Sequence, residues 1–404
     1  MEGLGMADEP NPSVEPPLVV KVDESLSNAN SPIVAFLQSK LPPRLYRVFL
    51  VALFWCVTLI WCVIFLATQV SAAALVTAFM MASFTLQAPD ATRFIEDQLK
   101  GFSDAFSKVA PIGERSTIPP EFGQSLACGM LGAQLASLGL ILIVFPWRIG
   151  SDWKRQIGFK RPAILHMLLA LLLVPGFMML SGGIQALLQE VGISQPAMNE
   201  PLNDLFRSFP WSLTFLAVGF GPGFVEEMWC RGFLGRRLSA RYGLVIGVTV
   251  TSILFGLLHG SLSYAIPTAI MGAYLHFVYL ASRSIWVSIT LHTLNNGVAI
   301  LATLTGKAEQ LDADPQRLNW VIYLASFSLV LFASISLWTS RFRIVPIQGR
   351  PDGSQPISDW KPEYPGISAP TKDSGQELRR GRPSPAAVVF TFLSFAMLAY
   401  LLSK

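Results

Sequence analysis

Charged residues are scarce in this chain: Asp, Glu, Lys and Arg make up 14% of its 404 residues, whereas 52% are hydrophobic. A soluble globular protein carries about 25% charged residues. The formal net charge of +4 is too small to indicate a nucleic-acid partner. The apolar residues also lie in long blocks rather than scattered through the sequence. The shortage of charge therefore excludes an ordinary water-soluble domain and indicates that lipid surrounds much of the chain.

Cysteine and histidine are equally rare, with four residues of each. The cysteines lie in apolar runs without a Cys-x-x-Cys pair, which argues against a disulfide framework or a thiolate zinc site. We expect them to be small buried hydrophobic residues. Their positions are Cys56, Cys62, Cys128 and Cys230. The zinc-protease sequence His-Glu-x-x-His and the serine-hydrolase sequence Gly-x-Ser-x-Gly are absent, which excludes two common classes of hydrolytic site.

Nine apolar blocks follow a polar N-terminal segment, residues 1–42, which we expect to be disordered. A helix needs about 20 apolar residues to cross the hydrocarbon core, and backbone groups cannot remain unpaired in lipid. We therefore predict an all-α, polytopic transmembrane helix bundle with about nine spans, namely eight and a short C-terminal one. The blocks cover residues 48–84, 125–147, 163–184, 211–230, 243–260, 264–281, 284–304, 318–339 and 386–402.

The distribution of Lys and Arg sets the predicted orientation, because cytoplasmic loops are enriched in both residues. A single span in the first block puts the basic loops at 146–162 and 236–241 on the same side as the N-terminus. The basic segment at 341–382 falls on that side as well. A hairpin in the first block would place all of these segments outside. We therefore predict one span there and a cytoplasmic N-terminus.

Ionisable residues are few inside the apolar blocks, where each costs at least about 2.5 kcal/mol. Glu226 and Glu227 stand side by side, and Arg231 follows four residues after Glu227. Residues four apart share a helix face, so we expect Glu227 and Arg231 to form an ion pair. Glu226 is turned about 100° away from Glu227. It cannot use the same face and is therefore left for another task.

Two further pairs at helical spacing carry polar groups, namely Phe255 with His259 and His292 with Asn296. Since lipid rejects such groups, the least costly arrangement turns them and Glu226 toward one internal cavity. There a carboxylate and an imidazole can take a proton from water and direct its attack at a carbonyl. The second imidazole and the carboxamide can donate hydrogen bonds to an oxyanion. Alternatively, Glu226, His259 and His292 could hold a divalent ion, because two histidines and a carboxylate suit a hydrolytic zinc site.

Three short motifs lie in order on the apolar blocks: Glu-Glu-x-x-x-Arg at 226–231, Phe-x-x-x-His at 255–259 and His-x-x-x-Asn at 292–296. In this order they resemble the motifs of the CAAX-protease and bacteriocin-processing (CPBP, Abi) family, which includes the type II CAAX prenyl endopeptidases. The resemblance covers roughly residues 160–305. The chain departs from the family at one place. Many relatives have Phe or Tyr directly before the motif arginine, whereas this chain has Cys230 there and Trp229 one place earlier.

The resemblance assigns a role to each motif residue. It implies that Glu226 and His259 activate water and that His292 and Asn296 stabilise the oxyanion. It implies supporting roles for the remaining motif residues, Glu227, Arg231 and Phe255. It leaves open whether zinc, held by Glu226, His259 and His292, takes part or whether the protease is metal-independent and glutamate-dependent.

The resemblance also implies a function, that of an intramembrane endopeptidase. The expected substrate is a membrane-associated protein or peptide, such as a prenylated CAAX-type protein. The expected partners are membrane lipid and this substrate, without nucleic acid. The expected location is multi-pass in a membrane, taken to be a bacterial inner membrane, with the active site facing the cytoplasm. In bacteria without prenylated proteins, peptide maturation or bacteriocin self-immunity is the expected task.

A second hypothesis is a non-catalytic membrane scaffold or regulator, in which the polar groups only hold helices together. A transporter would need broken helices or inverted repeats, and neither is evident. Around a catalytic core at 161–305, the predicted divisions are membrane helices with a long extracytoplasmic loop at 43–160, an additional span at 306–340, a cytoplasmic Pro- and Arg-rich linker at 341–385 and a C-terminal span at 386–404.

Overall fold

The computed structural model describes residues 38–105, 119–193, 209–305, 320–347, 367, 370 and 375–403. Most of the N-terminal segment predicted to be disordered, and most of the predicted linker, lie outside the described residues. The chain divides into two units, Met1–Val51 and Ala52–Lys404. The described part of the first unit holds the beginning of the first long helix. All of the motif residues belong to the second unit.

Helices make up nearly all of the described structure. In chain order they are α1 (Pro43–Gln87), α2 (Ala91–Ala105), α3 (Pro120–Arg148), α4 (Trp153–Gln156), α5 (Ile164–Glu190), α6 (211–242), α7 (Leu244–Leu257), α8 (Leu262–Ser282), α9 (Ile285–Leu304), α10 (Trp320–Thr339) and α11 (Pro385–Leu402). Seven of the helices within the described residues, α1, α3, α5, α8, α9, α10 and α11, are long and apolar enough to cross a membrane. The predicted all-α polytopic bundle is confirmed.

Helix α1 has 45 residues and corresponds to the first apolar block. At 1.5 Å per residue it is about 68 Å long, more than twice the thickness of a hydrocarbon core. The block therefore forms one continuous helix rather than a hairpin. The last two predicted spans correspond to α6 and to α7, which has only 14 residues. The total of nine spans and their orientation remain predictions.

The core of the second unit contains two clusters of buried apolar side chains. The first includes Phe65, Phe145, Trp229 and Phe233. In it the indole of Trp229 stacks on the ring of Phe65, with the ring centroids 4.7 Å apart, and so joins α6 to α1. The aromatic residue that stands one place earlier than in many relatives is therefore used to pack α6 against α1. The second cluster joins α5, α8, α9 and α10 through side chains such as Leu173, Leu275, Leu291 and Leu337.

The four cysteines are free, but they do not share one environment. Cys230 is buried, Cys62 and Cys128 are half-buried, and Cys56 on α1 is exposed. The expectation that all four are buried is therefore wrong. The physical reason is that apolar side chains on a membrane helix can face lipid as well as the protein core.

A small sheet joins the two ends of the predicted linker. Strand β1 (Phe342–Pro346) directly follows α10 and pairs antiparallel with β2 (Gln376–Arg380), which precedes α11. Phe342 lies opposite Arg380, and Arg343 lies opposite Arg379. The sequence analysis predicted no strands here, because Arg-rich segments lack the alternating apolar pattern that indicates a strand.

Candidate active site

The paired glutamates lie on α6, which is not a uniform α-helix. The α-helical segment Gly221–Glu227 stands between two π-helical stretches, Phe215–Phe220 and Met228–Leu234. π-helical turns are wider than α-helical turns and occur frequently at functional sites. Glu226 and Glu227 therefore end an α-helical segment immediately before a change of helix geometry.

Glu227 and Arg231 form the ion pair that their spacing predicts. Arg231 Nη1 donates to Glu227 Oε1 at 2.7 Å, and both side chains are fully buried. Arg231 Nη2 also donates to the backbone carbonyl of Gly272 on α8 at 2.8 Å. The guanidinium lies 4.8 Å from the centroid of the Phe255 ring. Arg231 therefore ties α6 to α8 as well as neutralising Glu227.

His292 on α9 contacts the same carboxylate. Its Nδ1 lies 2.9 Å from Glu227 Oε1, and the imidazole is buried. Ser288, one turn earlier on α9, lies beside the carboxylate as well. Because an ionised carboxylate only accepts hydrogen bonds, Nδ1 carries the proton and Nε2 is the nitrogen left to face a reacting group. Glu227 therefore joins α6 to α9, a link that the sequence analysis did not foresee.

His259 lies in the short turn between α7 and α8, just beyond the end of α7. Its Nδ1 lies 2.9 Å from the backbone carbonyl oxygen of Phe255, so Nδ1 is the donor and Nε2 holds a lone pair. The side chain of His259 is exposed, whereas Phe255 is buried. The Phe255 ring makes edge contacts with both imidazoles, 5.2 Å from His259 and 5.7 Å from His292 between ring centroids. Phe255 therefore positions both histidines.

Glu226 and Asn296 complete the motif residues. Glu226 is half-buried, and its Oε2 atom is buried without a hydrogen-bond partner among the described residues. No hydrogen bond in that part of the chain joins Glu226 to His259 or His292. Asn296 Nδ2 donates to the carbonyl of Val218 at 3.2 Å, which links α9 to the first π-helical stretch of α6. The amide has a second N–H that this contact does not use.

The predicted metal ligands are not gathered into a metal site. Among the described residues, no group of three or more His, Cys, Asp or Glu side chains is arranged to hold a metal ion. His292 directs Nδ1 to Glu227, not to Glu226, and His259 directs Nδ1 to a backbone carbonyl. The expected zinc set of Glu226, His259 and His292 therefore does not fit this arrangement, and we derive no step through a metal.

Gly223 is a further residue of the site, and the motifs do not include it. A Cβ at this position would lie 2.9 Å from the backbone nitrogen of Thr293 and closer still to the Thr293 hydroxyl. The absence of a side chain therefore lets α6 approach α9 directly beside His292. A glycine one turn before Glu227 is the sequence signal that could have indicated this close approach.

These features describe a polytopic α-helical membrane protein with a buried site of carboxylates and imidazoles at the contact of three helices. Residues 208–298 match the model of the family described as type II CAAX prenyl endopeptidase Rce1-like. This segment contains all three motifs, and it belongs to the Rce1-like family, as the motifs predicted. The family is one of proteases. No curated protein and no solved structure matched the chain.

Proposed function

We propose that the chain is an intramembrane endopeptidase that hydrolyses a peptide bond of a membrane-associated protein or peptide. One observation carries the proposal: Glu227 joins Arg231 and His292 in a buried network, beside a buried oxygen of Glu226 that has no partner among the described residues. A buried polar atom without a partner requires an explanation, and a catalytic role is one. An ionisable residue inside a membrane protein is likewise a functional candidate.

In this proposal Glu226 is the general base. Glu226 takes one proton from a water molecule while the water oxygen attacks the carbonyl carbon of the scissile bond. The same proton then passes to the leaving amine as the carbon–nitrogen bond breaks. His259 assists by orienting the water through Nε2, the ring nitrogen that the Phe255 carbonyl leaves free. Since no direct bond joins the two side chains in the described structure, the proposal requires the water to lie between them.

His292 and Asn296 are proposed to stabilise the oxyanion of the tetrahedral intermediate. The second N–H of the Asn296 amide supplies one donor. His292 donates from Nε2 only as an imidazolium, because its Nδ1 proton is already directed at Glu227. Glu227 is then a positioning residue that fixes the His292 ring. One such donor is worth about 3 kcal/mol of transition-state stabilisation.

The substrate class is proposed from the family match rather than from the geometry of the site. Prenylated CAAX-type proteins are the proposed substrates where the host makes them, and membrane-associated peptides are the proposed substrates where it does not. The site is proposed to open toward the cytoplasm, because the basic loop at 236–241 follows the glutamates on α6. A bacterial inner membrane remains the proposed location.

The variant Glu226→Gln tests the catalytic assignment, because it removes the base and keeps the size of the side chain. With purified full-length protein in lipid nanodiscs and prenylated and unprenylated fluorogenic peptides, we expect cleavage to fall about 10²- to 10⁴-fold. Glu96→Gln, at an exposed position on α2, is the matched control and should cleave at the wild-type rate. A folded Glu226→Gln protein that cleaves as fast as wild type would make the assignment wrong.

A non-catalytic scaffold or regulator is the second candidate, and the bridging contacts favour it. Arg231 links α6 to α8, and Asn296 links α9 to α6, as polar groups do when they only hold helices together. A bacteriocin self-immunity protein without protease activity would be of this kind. Such a protein should keep its cellular function with Glu226→Gln and lose it with Glu227→Ala, whereas a protease should lose it with either change.

A further inference from the structure

A groove of about 560 Å³ lies between α7, α8, α10 and the start of β1, and none of the motif residues lines it. Its walls are largely apolar and include Val248 on α7, Phe277 on α8 and Trp338 on α10. Three arginines also line it: Arg283, Arg341 and Arg343. These arginines follow the ends of α8 and α10. The groove therefore combines an apolar wall along the helices with positive charge where the helices end.

The positive charges lie close together around Phe342. Arg283 Nε donates to the Phe342 carbonyl at 3.3 Å, and Lys160 Nζ lies 5.2 Å from the centroid of the Phe342 ring. Burial, together with the charge of Arg283, lowers the pKa of Lys160. Burial also lowers the pKa of Arg283 to about 10, and burial and the neighbouring Arg343 lower the pKa of Arg341. The cations thus repel each other in a place where water screens them poorly.

The residues that line the groove include no carboxylate to balance this charge. Across the sheet, Arg343 lies directly opposite another cation, Arg379. Like charges at opposite positions of a strand pair are destabilising. The nearby Glu377 is already engaged, because its Oε1 lies 2.6 Å from Arg379 Nη2. A bound anion would therefore relieve a repulsion that the described side chains leave uncompensated.

We propose that this groove binds an anionic phospholipid, with the phosphate at the arginines and an acyl chain along the apolar wall. Basic pockets between membrane helices on the cytoplasmic side bind anionic headgroups. Free phosphate would satisfy the arginines and leave the apolar wall uncovered, whereas a phospholipid satisfies both. Trp338 stands at the boundary of the two regions, as interfacial tryptophans do. The proposal does not depend on proteolytic activity.

Fluorescence of Trp338 gives a direct test. Purified full-length protein in nanodiscs is titrated with phosphatidylglycerol or phosphatidylcholine brominated on the acyl chains, which quench a tryptophan that they contact. The Trp338 signal is the difference between wild type and Trp338→Phe, because the chain has ten tryptophans. We expect phosphatidylglycerol to quench this signal at a lower mole fraction than phosphatidylcholine does.

Arg343→Gln is the informative variant, because Arg343 is exposed and its loss should not disturb folding. It should weaken the preference for phosphatidylglycerol about fivefold, as expected for about 1 kcal/mol per cation near an anionic headgroup. Arg343→Lys should retain the preference. Arg155→Gln is the matched control, because Arg155 is an exposed arginine outside the groove that pairs with Asp152. Arg341→Gln is less suitable, because the guanidinium lies 3.7 Å from the Trp338 ring centroid and changes its fluorescence directly.

Equal quenching of Trp338 by the two lipids would overturn the proposal, as would an unchanged preference in Arg343→Gln. Displacement of brominated phosphatidylglycerol by an uncharged isoprenoid, with no displacement by unlabelled phosphatidylglycerol, would assign the groove to a prenyl chain instead. Displacement by inorganic phosphate alone at the same anion concentration would assign it to a free anion. Each of these outcomes is independent of whether Glu226→Gln abolishes cleavage.

Discussion

Glu227 Oε1 accepts hydrogen bonds from two buried side chains, Arg231 at 2.7 Å and His292 at 2.9 Å. One negative charge therefore serves both an ion pair within α6 and the orientation of an imidazole on α9. These two roles predict different results when the charge is removed, because only the ion pair can be replaced by apolar packing. A pair of substitutions can separate them.

Glu227→Leu should destabilise the protein by about 3 to 5 kcal/mol, because it leaves the Arg231 guanidinium buried without a counterion. Glu227→Leu combined with Arg231→Met removes both charges and should recover most of that loss. A residual cost of about 1 kcal/mol remains, because the Gly272 carbonyl loses its donor. Cleavage should stay lost in the double variant, because His292 still lacks its Nδ1 partner. Thermal unfolding and peptide cleavage, measured on the same preparations, check both expectations.

Recovery of cleavage together with stability in the double variant would show that Glu227 acts only as a counterion. Arg231→Met alone should be milder in cleavage than Glu227→Leu alone at equal stability, because it leaves the contact between Glu227 and His292 in place. This comparison keeps the test informative even if the double variant is only partly stable.

At the scale of single residues, the sequence predicts contacts within a helix and misses contacts between helices. The four-residue spacing of Glu227 and Arg231 was sufficient to predict their ion pair. His292 lies 65 residues from Glu227, and no helical period relates the two positions. The motifs placed both residues in one site without indicating that the second glutamate, rather than the first, bonds to this histidine. Which of two neighbouring carboxylates faces a partner depends on the local rotation of the helix, and the π-helical stretches alter that rotation.

At the scale of elements, the site depends on how closely α6 approaches α9. Gly223 permits this approach, because a Cβ there would meet Thr293, the residue next to His292. Small residues allow membrane helices to pack with their backbones close together. The width of the gap between the two helices therefore controls the contact between Glu227 and His292.

Gly223→Ala should push α6 and α9 apart and reduce cleavage at least tenfold, with a loss of stability of about 1 to 3 kcal/mol from overpacking. Gly139→Ala on α3 is the matched control, because a Cβ there meets nothing within 4 Å. The control should leave cleavage unchanged and be neutral to slightly stabilising, since alanine favours a helix more than glycine does. Thermal unfolding in nanodiscs and the cleavage assay measure both effects. Equal behaviour of the two variants would contradict the role assigned to Gly223.

Length and hydrophobicity predicted the helices well, but they could not predict interruptions within them. The long first block became one helix, α1, and the short C-terminal block became α11. The π-helical stretches of α6 lie in a segment whose apolar residues show no break, so composition gives no sign of them. Strands β1 and β2 were missed because long-range pairing, rather than a local pattern, stabilises them.

At the scale of the whole molecule, orientation decides which compartment each site faces. Helix packing is the same for either orientation, so only the distribution of basic residues predicts it. That distribution places the loop at 150–152 and the arginine end of the groove on the cytoplasmic side. It places α2 on the opposite side. The proposed lipid site depends on this assignment, because the cytoplasmic leaflet carries the negative surface potential.

Single cysteines test the orientation in a background from which the four native cysteines have been removed. Thr92→Cys on α2 and Ser151→Cys in the loop before α4 are both exposed positions. A membrane-impermeant maleimide applied to intact cells should label Thr92→Cys at once and Ser151→Cys only after the membrane is permeabilised. Peptide cleavage by each variant serves as the control for native folding. The reverse labelling pattern would turn the arginines of the groove away from the cytoplasm. A phosphate bound there would then belong to the outer leaflet, and the proteolytic site could not open toward cytoplasmic substrates.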